Sequence, residues 1–355
     1  MGGPVLSGMT MAELQGVAEQ LGLPRFAARQ MAEWIYKKQI FEISEMTNLS
    51  KTARQRLSEE FVLGRSRPVR EVKSADGTVK YLFRTLSGHY VETVYIPTAD
   101  RATLCISTQV GCRMGCKFCM TGRQGLQAQL TVADMLNQIY SIPHFERLTN
   151  IVVMGQGEPF DNTDAVIRTC QLLTSSNGLA WSPKRITVST VGLTEGMQRF
   201  LRETDCHLAI SLHFPFAEER KEWMPAERAF PMDRTLALLR QQEFCREIGT
   251  DIRDEGEDSS HQRRLSFEYI VFQGLNDDEK HARALIRLLR GLRCRVNLIP
   301  FHTIPDSPFQ GATEERMKSL RNHLTASGLL TTLRASRGQD IDAACGLLST
   351  KESKA

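Results

Sequence analysis

The sequence predicts an α/β protein built on a partial parallel (β/α)6 barrel, preceded by a helical domain and a β-hairpin extension. From residue 103 onward, short and nearly continuous apolar segments alternate with segments of helical periodicity. This alternation is typical of a parallel sheet covered by helices. Six or seven such units in about 240 residues fit a barrel or partial barrel. A doubly wound open sheet is the alternative architecture.

Composition excludes several classes of protein. The 355 residues suit one large domain with an appendage, or two domains, and an apolar content of 41% supports a sizeable core. No run of 18 apolar residues occurs, and the amino terminus lacks the basic and apolar segments of a signal peptide. We therefore expect a cytoplasmic protein without a membrane span. A net charge of +4 is only weak evidence for a nucleic-acid partner.

The first predicted unit is a helical accessory domain at residues 1–62. A capping box at Thr10-Met-Ala-Glu13 begins one helix, Pro24 opens a second at its first position, and Ser50 caps a third, basic helix. A run with four basic residues follows at 64–73 and could contact phosphates. The domain could present a basic face to RNA, or it could be a packing appendage.

The second predicted unit is a β-hairpin extension at residues 63–98. Two segments of period two flank Ser87-Gly88, which predicts a hairpin turn. Glu92 lies among apolar residues in the second strand. On pattern alone, an acid at such a position is most often on the solvent face of its strand.

The barrel is predicted to cover residues 99–348. Its strands are expected at 103–107, 150–154, 186–190, 207–212, 266–272, 295–299 and 330–335. Its helices are expected to begin at a Thr131 cap and then to lie near 163–175, 194–203, 233–247, 277–290 and 313–327. A polar insert at 250–264 is interpreted as a mobile surface loop, and residues 349–355 as a disordered tail.

A cluster of cysteines follows the first barrel strand. Cys112, Cys116 and Cys119 have the spacing Cys-x3-Cys-x2-Cys, and three thiols on one loop can hold three irons of a 4Fe–4S cluster while the fourth iron stays open. With Cys105, a four-cysteine zinc site is the alternative. No second Cys-x2-Cys pair exists, so the spacing favours the cluster. The total of nine cysteines is odd, which argues against a disulfide framework.

Polar residues follow the carboxyl ends of several predicted strands. Gly157 and Glu158 lie in the turn Met154-Gly-Gln-Gly-Glu-Pro159, where glycines allow a ligand to approach the backbone closely. Ser189, Ser211, His213 and Asn297 end other strands. Each is ordinary by itself, but parallel barrels carry their chemistry at this edge. Together with the cysteine loop they predict a polar ring around one rim.

Six segments carry a resemblance to a known family. They are Val91–Pro97, Arg101–Cys105, Met154–Pro159, Ser211–His213, Asn297–Pro300 and Gly338–Gly346. In combination the chain resembles the RlmN/Cfr family of radical S-adenosylmethionine RNA adenine methyltransferases over about residues 8–348. It is closest to the RlmN, adenine-C2 branch. One departure is Gln156, where the family commonly has Met.

The resemblance implies a site and a mechanism. Cys112, Cys116 and Cys119 would hold the 4Fe–4S cluster, and two S-adenosylmethionine molecules would be used per turnover. Cys345 would be methylated first, and a radical from the second S-adenosylmethionine would take a hydrogen from that S-methyl group. The methylene group would then add to the adenine, Glu92 would accept the ring proton, and Cys105 would release the product through a transient disulfide. The S-adenosylmethionine contacts would be Asn162, Gly157, Glu158, Ser189, Ser211, Leu212, His213 and Asn297.

The implied function is methylation of C2 of an adenine in 23S ribosomal RNA and of the anticodon-loop adenine of some tRNAs. The family also implies an external one-electron donor of flavodoxin type, no membrane and a monomer. Within the family, C8 methylation of the antibiotic-resistance branch is the alternative, although Pro159 favours C2. An iron–sulfur or zinc RNA-binding module without catalysis, and a radical activase for a protein, are alternatives from other classes. Cys345, together with Cys105 and Glu92, argues against both.

Overall fold

The structure is a computed structural model that describes residues 3–246 and 263–349. The predicted mobile loop at 250–264 lies outside the described residues except for Arg263 and Arg264. The predicted disordered tail lies outside them except for Ser349. The predicted domain boundaries at 62 and 98 stay predictions.

The amino-terminal region is helical, as the sequence predicts. It contains α1 (Met11–Gln20), α2 (Phe26–Ala32), a π-helical turn (Glu33–Lys38) and α3 (Lys51–Glu60). The capping box before α1 is present, because the Glu13 N–H donates to Thr10 Oγ1 at 3.3 Å and the Thr10 N–H donates to Glu13 Oε2 at 2.7 Å. Ser50 caps α3 as expected. Pro24 precedes α2 by two residues, so the prediction that it occupies the first position of that helix is wrong.

One sheet of ten strands dominates the fold. Its strands before the barrel are β1 (Arg70–Lys73), β2 (Val79–Arg84) and β3 (Tyr90–Pro97). The strands of the barrel part are β4 (Ala102–Ile106), β7 (Asn150–Val153), β8 (Ile186–Thr190), β9 (His207–Ser211), β10 (Leu265–Val271), β11 (Arg295–Pro300) and β12 (Thr331–Leu333). Two further strands, β5 (Gln109–Val110) and β6 (Ala128–Gln129), pair only with each other.

The strand order confirms the predicted fold class. The order is β1-β2-β3-β4-β7-β8-β9-β10-β11-β12, with antiparallel pairing up to β4 and parallel pairing from β4 to β12. The hairpin extension therefore continues the barrel sheet. In the described part of the chain β12 and β4 are the ends of the parallel set and do not pair, which leaves the barrel partial.

Most helices of the barrel part cover the outer face of the sheet, and two short ones lie beside the cysteine loop. The helices of this part are α4 (Met120–Gln124), α5 (Val132–Tyr140), α6 (Thr163–Thr174), α7 (Thr194–Glu203), α8 (Ala217–Trp223), α9 (Met232–Gln241), α10 (Glu279–Leu289) and α11 (Glu314–Ala326). The sequence missed the short helices α4 and α8, and the helix predicted at 233–247 ends at Gln241. Among the described residues, no helix has the length and apolarity needed to cross a bilayer.

Alternating residues of the strands point to two different environments. On β4, Leu104 and Ile106 join the main apolar core under the helices. Thr103 lines a cavity on the inner side, and Cys105 belongs to a small separate cluster with Val94, Ala343 and Leu348. The period of two in a strand produces this division. It places the polar side chains of the parallel strands inside the barrel.

Candidate active site

The three clustered cysteines line one small cavity at the carboxyl ends of the strands. This cavity has a volume of about 150 Å³. Cys112, Cys116 and Cys119 lie on the loop between β5 and α4, and all three face the cavity. The loop packs tightly, because a Cβ on Gly122 would lie 2.9 Å from the backbone nitrogen and oxygen of Cys116. Only glycine allows α4 to approach the cysteine loop so closely.

The electrostatics of the Cys112 and Cys116 thiols suit a cationic group. Burial raises the pKa of Cys112 to about 12 and raises that of Cys116 above its usual range, and the neighbouring thiols add to both effects. Soft thiolate donors on one apolar cavity are the donor set that an iron–sulfur cluster requires. Within residues 3–246 and 263–349, no three His, Cys, Asp or Glu side chains stand in an arrangement that could hold a metal ion directly. The three cysteines therefore have the donor atoms that the cluster requires and share one cavity. They are not arranged as a complete set of ligands around a single metal ion.

The turn after β7 lies against the same cavity. Gly157 has φ +101°, and a Cβ there would be 2.6 Å from Gln109 Cβ. Glu158 is buried, and its carboxylate accepts from Thr190 Oγ1 at 2.6 Å and from the Val191 N–H at 2.9 Å. Burial nevertheless raises the pKa of Glu158 to about 7. Glu158 therefore ties the turn after β7 to the turn after β8 while it lines the cavity.

The other predicted cofactor contacts divide into two groups. Ser189, Ser211 and His213 line the small cavity, and the two serine hydroxyls are 3.3 Å apart. Leu212 has no exposed surface and Asn162 bonds to the carbonyls of Thr108 and Leu130, so neither side chain lines this cavity. Their proximity to a ligand stays a prediction.

His213 is held in an unusual conformation beside the cysteine loop. Its φ of +57° lies in the left-handed region that non-glycine residues seldom adopt. The ring nitrogen Nδ1 accepts from the Ile270 N–H at 3.1 Å, and the ring packs edge-on against Phe118 at 5.3 Å. Burial, followed by the charge of Arg220, lowers the pKa of His213 to about 3. The imidazole is therefore neutral where it lines the cavity.

Arg220 is a buried residue beside the site that the sequence analysis did not single out. Its side chain is only 1% exposed, and it bonds to Glu227 at 2.6 Å and to the carbonyls of Val191, Ser211 and Leu212. It thus fastens the ends of β8 and β9 beneath the cavity. No local signal could have revealed it, because an arginine in a short charged helix resembles a surface residue.

A second, larger cavity of about 610 Å³ fills the inside of the barrel. It adjoins the small cavity, and both are lined by the same five residues, which are Met154, Glu268, Ile299, Arg334 and Cys345. Asn297 lines the larger cavity and donates to Glu268 Oε1 at 2.8 Å. Cys345 is exposed to this open space although the surrounding protein raises its pKa. Cys345 therefore lies at the junction of the two cavities.

The loop that carries Cys345 is fastened on both sides. Towards the cysteine loop, the Met120 N–H donates to the Gly346 carbonyl at 2.8 Å and Thr121 Oγ1 donates to the Leu348 carbonyl at 2.7 Å. Towards the hairpin, Lys80 Nζ donates to the Asp342 carbonyl at 3.2 Å. These contacts hold a residue near the end of the sequence beside residues near position 116.

Cys105 lies beneath the Cys345 loop. It packs against Ala343 and Leu348 and is 9% exposed. Burial raises the pKa of Cys105 to about 12, and the charge of Cys345 adds to this effect while Arg334 opposes it. The Cys345 thiol is thus close enough to Cys105 to affect its pKa. Among the described residues both are free cysteines.

Glu92 is close to the same loop but lines neither cavity. Contrary to the pattern-based expectation of a solvent face, it is buried, and its carboxylate pairs with Lys80 at 3.0 Å and accepts from the Ser349 N–H at 3.0 Å. Gln156 Oε1 accepts from the Glu92 N–H at 3.1 Å. Gln156 therefore supports the strand that carries Glu92, and it does not line the small cavity.

Buried Glu268 and half-buried Arg334 form an ion pair that the sequence did not reveal. Arg334 Nη1 lies 3.4 Å from Glu268 Oε2, and Ser266 Oγ donates to Glu268 Oε1 at 3.0 Å. Burial acts to lower the pKa of Arg334, but Glu268 and the thiols of Cys345 and Cys105 raise it above its usual value. Arg334 is therefore a permanent positive charge beside both candidate cysteines.

Comparison with known proteins adds to this geometry. A family profile described as the ribosomal RNA large subunit methyltransferase N-terminal domain matches residues 5–63, and a profile described as the radical SAM superfamily matches residues 106–252. The chain is 56% identical to the "probable dual-specificity RNA methyltransferase RlmN" of Bacteroides fragilis, over 97% of this chain and 96% of that protein. It is 38% identical to the "dual-specificity RNA methyltransferase RlmN" of Halorhodospira halophila, over 98% and 94% of the two chains.

A solved structure supports the same relationship. The crystal structure of a radical SAM methyltransferase from Sphaerobacter thermophilus superposes with a TM-score of 0.87 at 40% sequence identity. The match covers 97% of this chain and 98% of that one. The similarity therefore extends over the helical region, the hairpin strands and the barrel together.

Proposed function

The chain belongs to the RlmN family of radical S-adenosylmethionine RNA methyltransferases, and from this membership we propose that it methylates C2 of an adenine through a methylated Cys345. The proposed substrates are 23S ribosomal RNA and the anticodon loop of some tRNAs. The enzyme is an S-adenosylmethionine-dependent RNA methyltransferase, and the family implies a 4Fe–4S cluster.

The observation that carries this proposal is the position of Cys345 between two cavities. The small cavity contains the three cysteines and the turn with Gly157 and Glu158, and it suits the cluster and S-adenosylmethionine. The larger cavity is wide enough for a nucleoside and has a basic lining. A residue that accepts a methyl group on one side and delivers it on the other must face both.

The residues that would hold the cofactors follow from the lining of the small cavity. Cys112, Cys116 and Cys119 would hold the cluster, while Glu158, Ser189 and Ser211 would contact S-adenosylmethionine. When bound, these cofactors supply an electrophilic methyl group and an organic radical. His213 and Phe118 would exclude water from this side of the site.

The chemistry of Cys345 begins with nucleophilic substitution. Its sulfur forms a bond to the methyl carbon of S-adenosylmethionine, the carbon–sulfonium bond breaks, and the thiol proton passes to solvent. Only the thiolate is an effective nucleophile. Arg334, whose charge acts to lower the pKa of Cys345, stabilises that thiolate.

Release of the product requires Cys105 and Glu92. The Cys105 sulfur bonds to the Cys345 sulfur, the bond from Cys345 to the methylene carbon breaks with its electrons on carbon, and that carbon takes a proton. Before this step, Glu92 accepts the proton from the adenine ring carbon, and the unpaired electron of the adduct would pass to the bound cluster, which supplies one-electron chemistry. Because the Ser349 N–H and Lys80 hold the Glu92 carboxylate, this step includes withdrawal of Ser349. The resulting disulfide is then reduced by an external thiol.

The remaining parts of the proposal concern the setting of the reaction. RNA is the partner, a flavodoxin-type protein is the one-electron donor, and the enzyme acts in the cytoplasm as a monomer. The amino-terminal helical region (5–63), which matches a domain described from ribosomal RNA methyltransferases, is the proposed RNA-facing accessory domain.

The experiment follows a labelled methyl group in anaerobic holoenzyme with ribosomal RNA. Wild type should transfer the label to RNA. Cys345→Ser should label neither its own residue 345 nor RNA, and Cys105→Ser should retain the label in a covalent protein–RNA adduct. Cys294→Ser, on a half-buried cysteine away from both cavities, is the matched control and should behave as wild type.

Normal turnover by both the Cys345 and Cys105 variants would contradict the two-cysteine mechanism. RNA binding without S-adenosylmethionine cleavage under dithionite would indicate a binding module. Cleavage with the radical transferred to a protein would indicate an activase.

A further inference from the structure

One lysine of the hairpin bonds to two parts of the proposed reaction centre. Lys80 lies on β2, and its Nζ is 3.0 Å from Glu92 Oε1 on β3. The same Nζ donates to the carbonyl oxygen of Asp342, in the loop that carries Cys345, at 3.2 Å. The side chains of Lys80 and Glu92 are only 15% and 9% exposed, and an ion pair shielded from water interacts more strongly than one at the surface. Lys80 is thus joined to the proposed proton acceptor and to the loop of the methyl carrier at the same time.

The register of the sheet explains how Lys80 reaches this position. Lys80 pairs with Val94 of β3, and Val94 pairs with Cys105 of β4. Side chains that stand opposite each other in neighbouring strands point to the same face of a sheet. Glu92 is two residues from Val94 and therefore shares this face, at a diagonal distance that a long side chain can span. The hairpin thus brings the Lys80 ammonium onto the face that carries the Cys105 thiol.

The Cys345 loop is anchored to the hairpin without Lys80. The turn between β1 and β2 already holds the beginning of the loop, because Asp76 accepts from the Gly338 N–H at 2.9 Å. Asp340 accepts from a serine hydroxyl of the same turn at 2.6 Å. The bond from Lys80 to a carboxylate on β3 is not needed for this anchoring. Its effect is to fix the position of that carboxylate relative to the loop.

We propose that Lys80 is a positioning residue for the transfer of the adenine ring proton to Glu92. The inference rests on the proposed function, in which Glu92 accepts that proton. In this step the carbon–hydrogen bond of the ring breaks, its proton passes to the Glu92 carboxylate, and its electron pair stays on the ring. The ammonium favours the ionised carboxylate, which is the form that can accept a proton. Because Lys80 also bonds to the loop that holds the adenine adduct of Cys345, it keeps the acceptor beside the adduct.

Only one step of the reaction depends on this arrangement. Methyl transfer to Cys345 and removal of a hydrogen from its S-methyl group both precede attachment of the adenine, so neither involves the ring proton. Loss of Lys80 should therefore leave methylation of Cys345 intact and slow deprotonation of the ring. The covalent adduct of Cys345 with RNA should accumulate, because deprotonation precedes its release by Cys105.

The test follows a single turnover of the anaerobic holoenzyme with ribosomal RNA. Lys80→Met removes the ammonium but keeps a long apolar side chain. It should form 2-methyladenosine about 10-fold more slowly than wild type, or slower still, while mass spectrometry of its Cys345 peptide shows the wild-type yield of methyl group. Deuterium at C2 of the target adenine should slow the variant more than it slows wild type, because breakage of that bond now limits the rate.

Two further variants serve as references. Lys80→Arg retains a cation that can donate to both partners, and it should recover most of the rate. Lys318→Met removes an exposed lysine that pairs with Glu314 on α11, and it should behave as wild type. A wild-type rate for Lys80→Met, or a slow rate with an unchanged deuterium effect, would overturn the proposal.

A second comparison remains informative if Lys80→Met alone fails to fold. Glu92→Gln and the double variant Lys80→Met/Glu92→Gln bury no unpaired carboxylate at this position. Both lack the proton acceptor, so both should accumulate the adduct of Cys345 with RNA. If Lys80 acts only through Glu92, they should form this adduct equally fast. Slower adduct formation by the double variant would show that Lys80 acts on an earlier step and would overturn the proposal.

The same samples separate this inference from the proposed function. Absence of the methyl group from Cys345 of the wild type, or absence of 2-methyladenosine from its RNA, refutes the proposed function. Methylated Cys345 together with a wild-type rate for Lys80→Met refutes only the role of Lys80.

Discussion

Environment, more than residue type, determines what each acidic or basic side chain of the site does. Glu158 accepts hydrogen bonds in a buried turn and has a pKa of about 7, whereas Glu268 is held by Arg334 and Asn297. The sequence could not distinguish them. It did group Cys112, Cys116 and Cys119, which the structure places on one cavity, because their spacing is local. It missed Arg220 and Arg334, because the partners of both are brought together by the fold.

Removal of one cysteine of the loop tests the metal assignment at this scale. Cys112→Ala should reduce the iron content of anaerobically purified protein from about four atoms per chain to below one and abolish its brown absorbance. Cys294→Ala should leave both unchanged. Zinc without iron in the wild-type protein would instead support a structural zinc site.

His207 should make folding stability depend on pH in a defined range. Its pKa falls from 6.5 to about 4 on folding, so between these values the unfolded chain binds a proton that the folded chain does not. The free energy of unfolding should therefore fall as the pH falls from 6.5 to 4, by up to roughly 3 kcal/mol. Above pH 6.5 His207 makes no contribution to the pH dependence of the free energy of unfolding.

His207→Asn retains an acceptor for the Arg264 N–H and should remove this part of the slope. Urea denaturation of the holoenzyme between pH 4.5 and 7.5 measures it. His323→Asn, on the exposed side of α11, is the control. An unchanged slope in the His207 variant would mean that other groups cause the acid sensitivity.

At the scale of single elements, strands were predicted better than short helices. The predicted strand at 186–190 coincides with β8 (Ile186–Thr190), because a buried parallel strand is an unbroken apolar run between polar turns. Helices α4 and α8 have five and seven residues, too few for a helical period to emerge. Both lie beside the cysteine loop, so sequence analysis was least complete near the site.

The turn after β7 depends on a glycine for two separate reasons. Gly157→Ala would impose a positive φ on alanine and bring its Cβ within 2.6 Å of Gln109. We expect a loss of about 2–4 kcal/mol in the free energy of unfolding and weaker S-adenosylmethionine binding by calorimetry.

Gly125→Ala separates the two causes. Gly125 also has a positive φ, +69°, but no atom lies within 4 Å of its Cβ position. Its replacement should cost only about 1 kcal/mol and leave binding of S-adenosylmethionine unchanged. Equal losses for the two variants would show that Gln109 moves aside and that close packing is not the reason for Gly157.

At the scale of the whole molecule, the fold joins three distant parts of the sequence. The hairpin supplies Glu92, the first barrel strand and its loop supply Cys105 and the cluster cysteines, and the carboxyl-terminal loop supplies Cys345. Because the strands are parallel, it was predictable that residues at their carboxyl ends share one edge of the sheet. The two cavities and their junction were not predictable, because they depend on side chains that face inward from seven strands at once.

The central claim is that Cys345 carries a methyl group from one cavity to an adenine in the other. Its most direct test is nucleoside mass spectrometry of ribosomal RNA after anaerobic reaction with a deuterated methyl donor. We predict 2-methyladenosine that contains label with wild type and none with Cys345→Ala. Formation of 8-methyladenosine would place the chain in the resistance branch, and labelled 2-methyladenosine from Cys345→Ala would contradict the account.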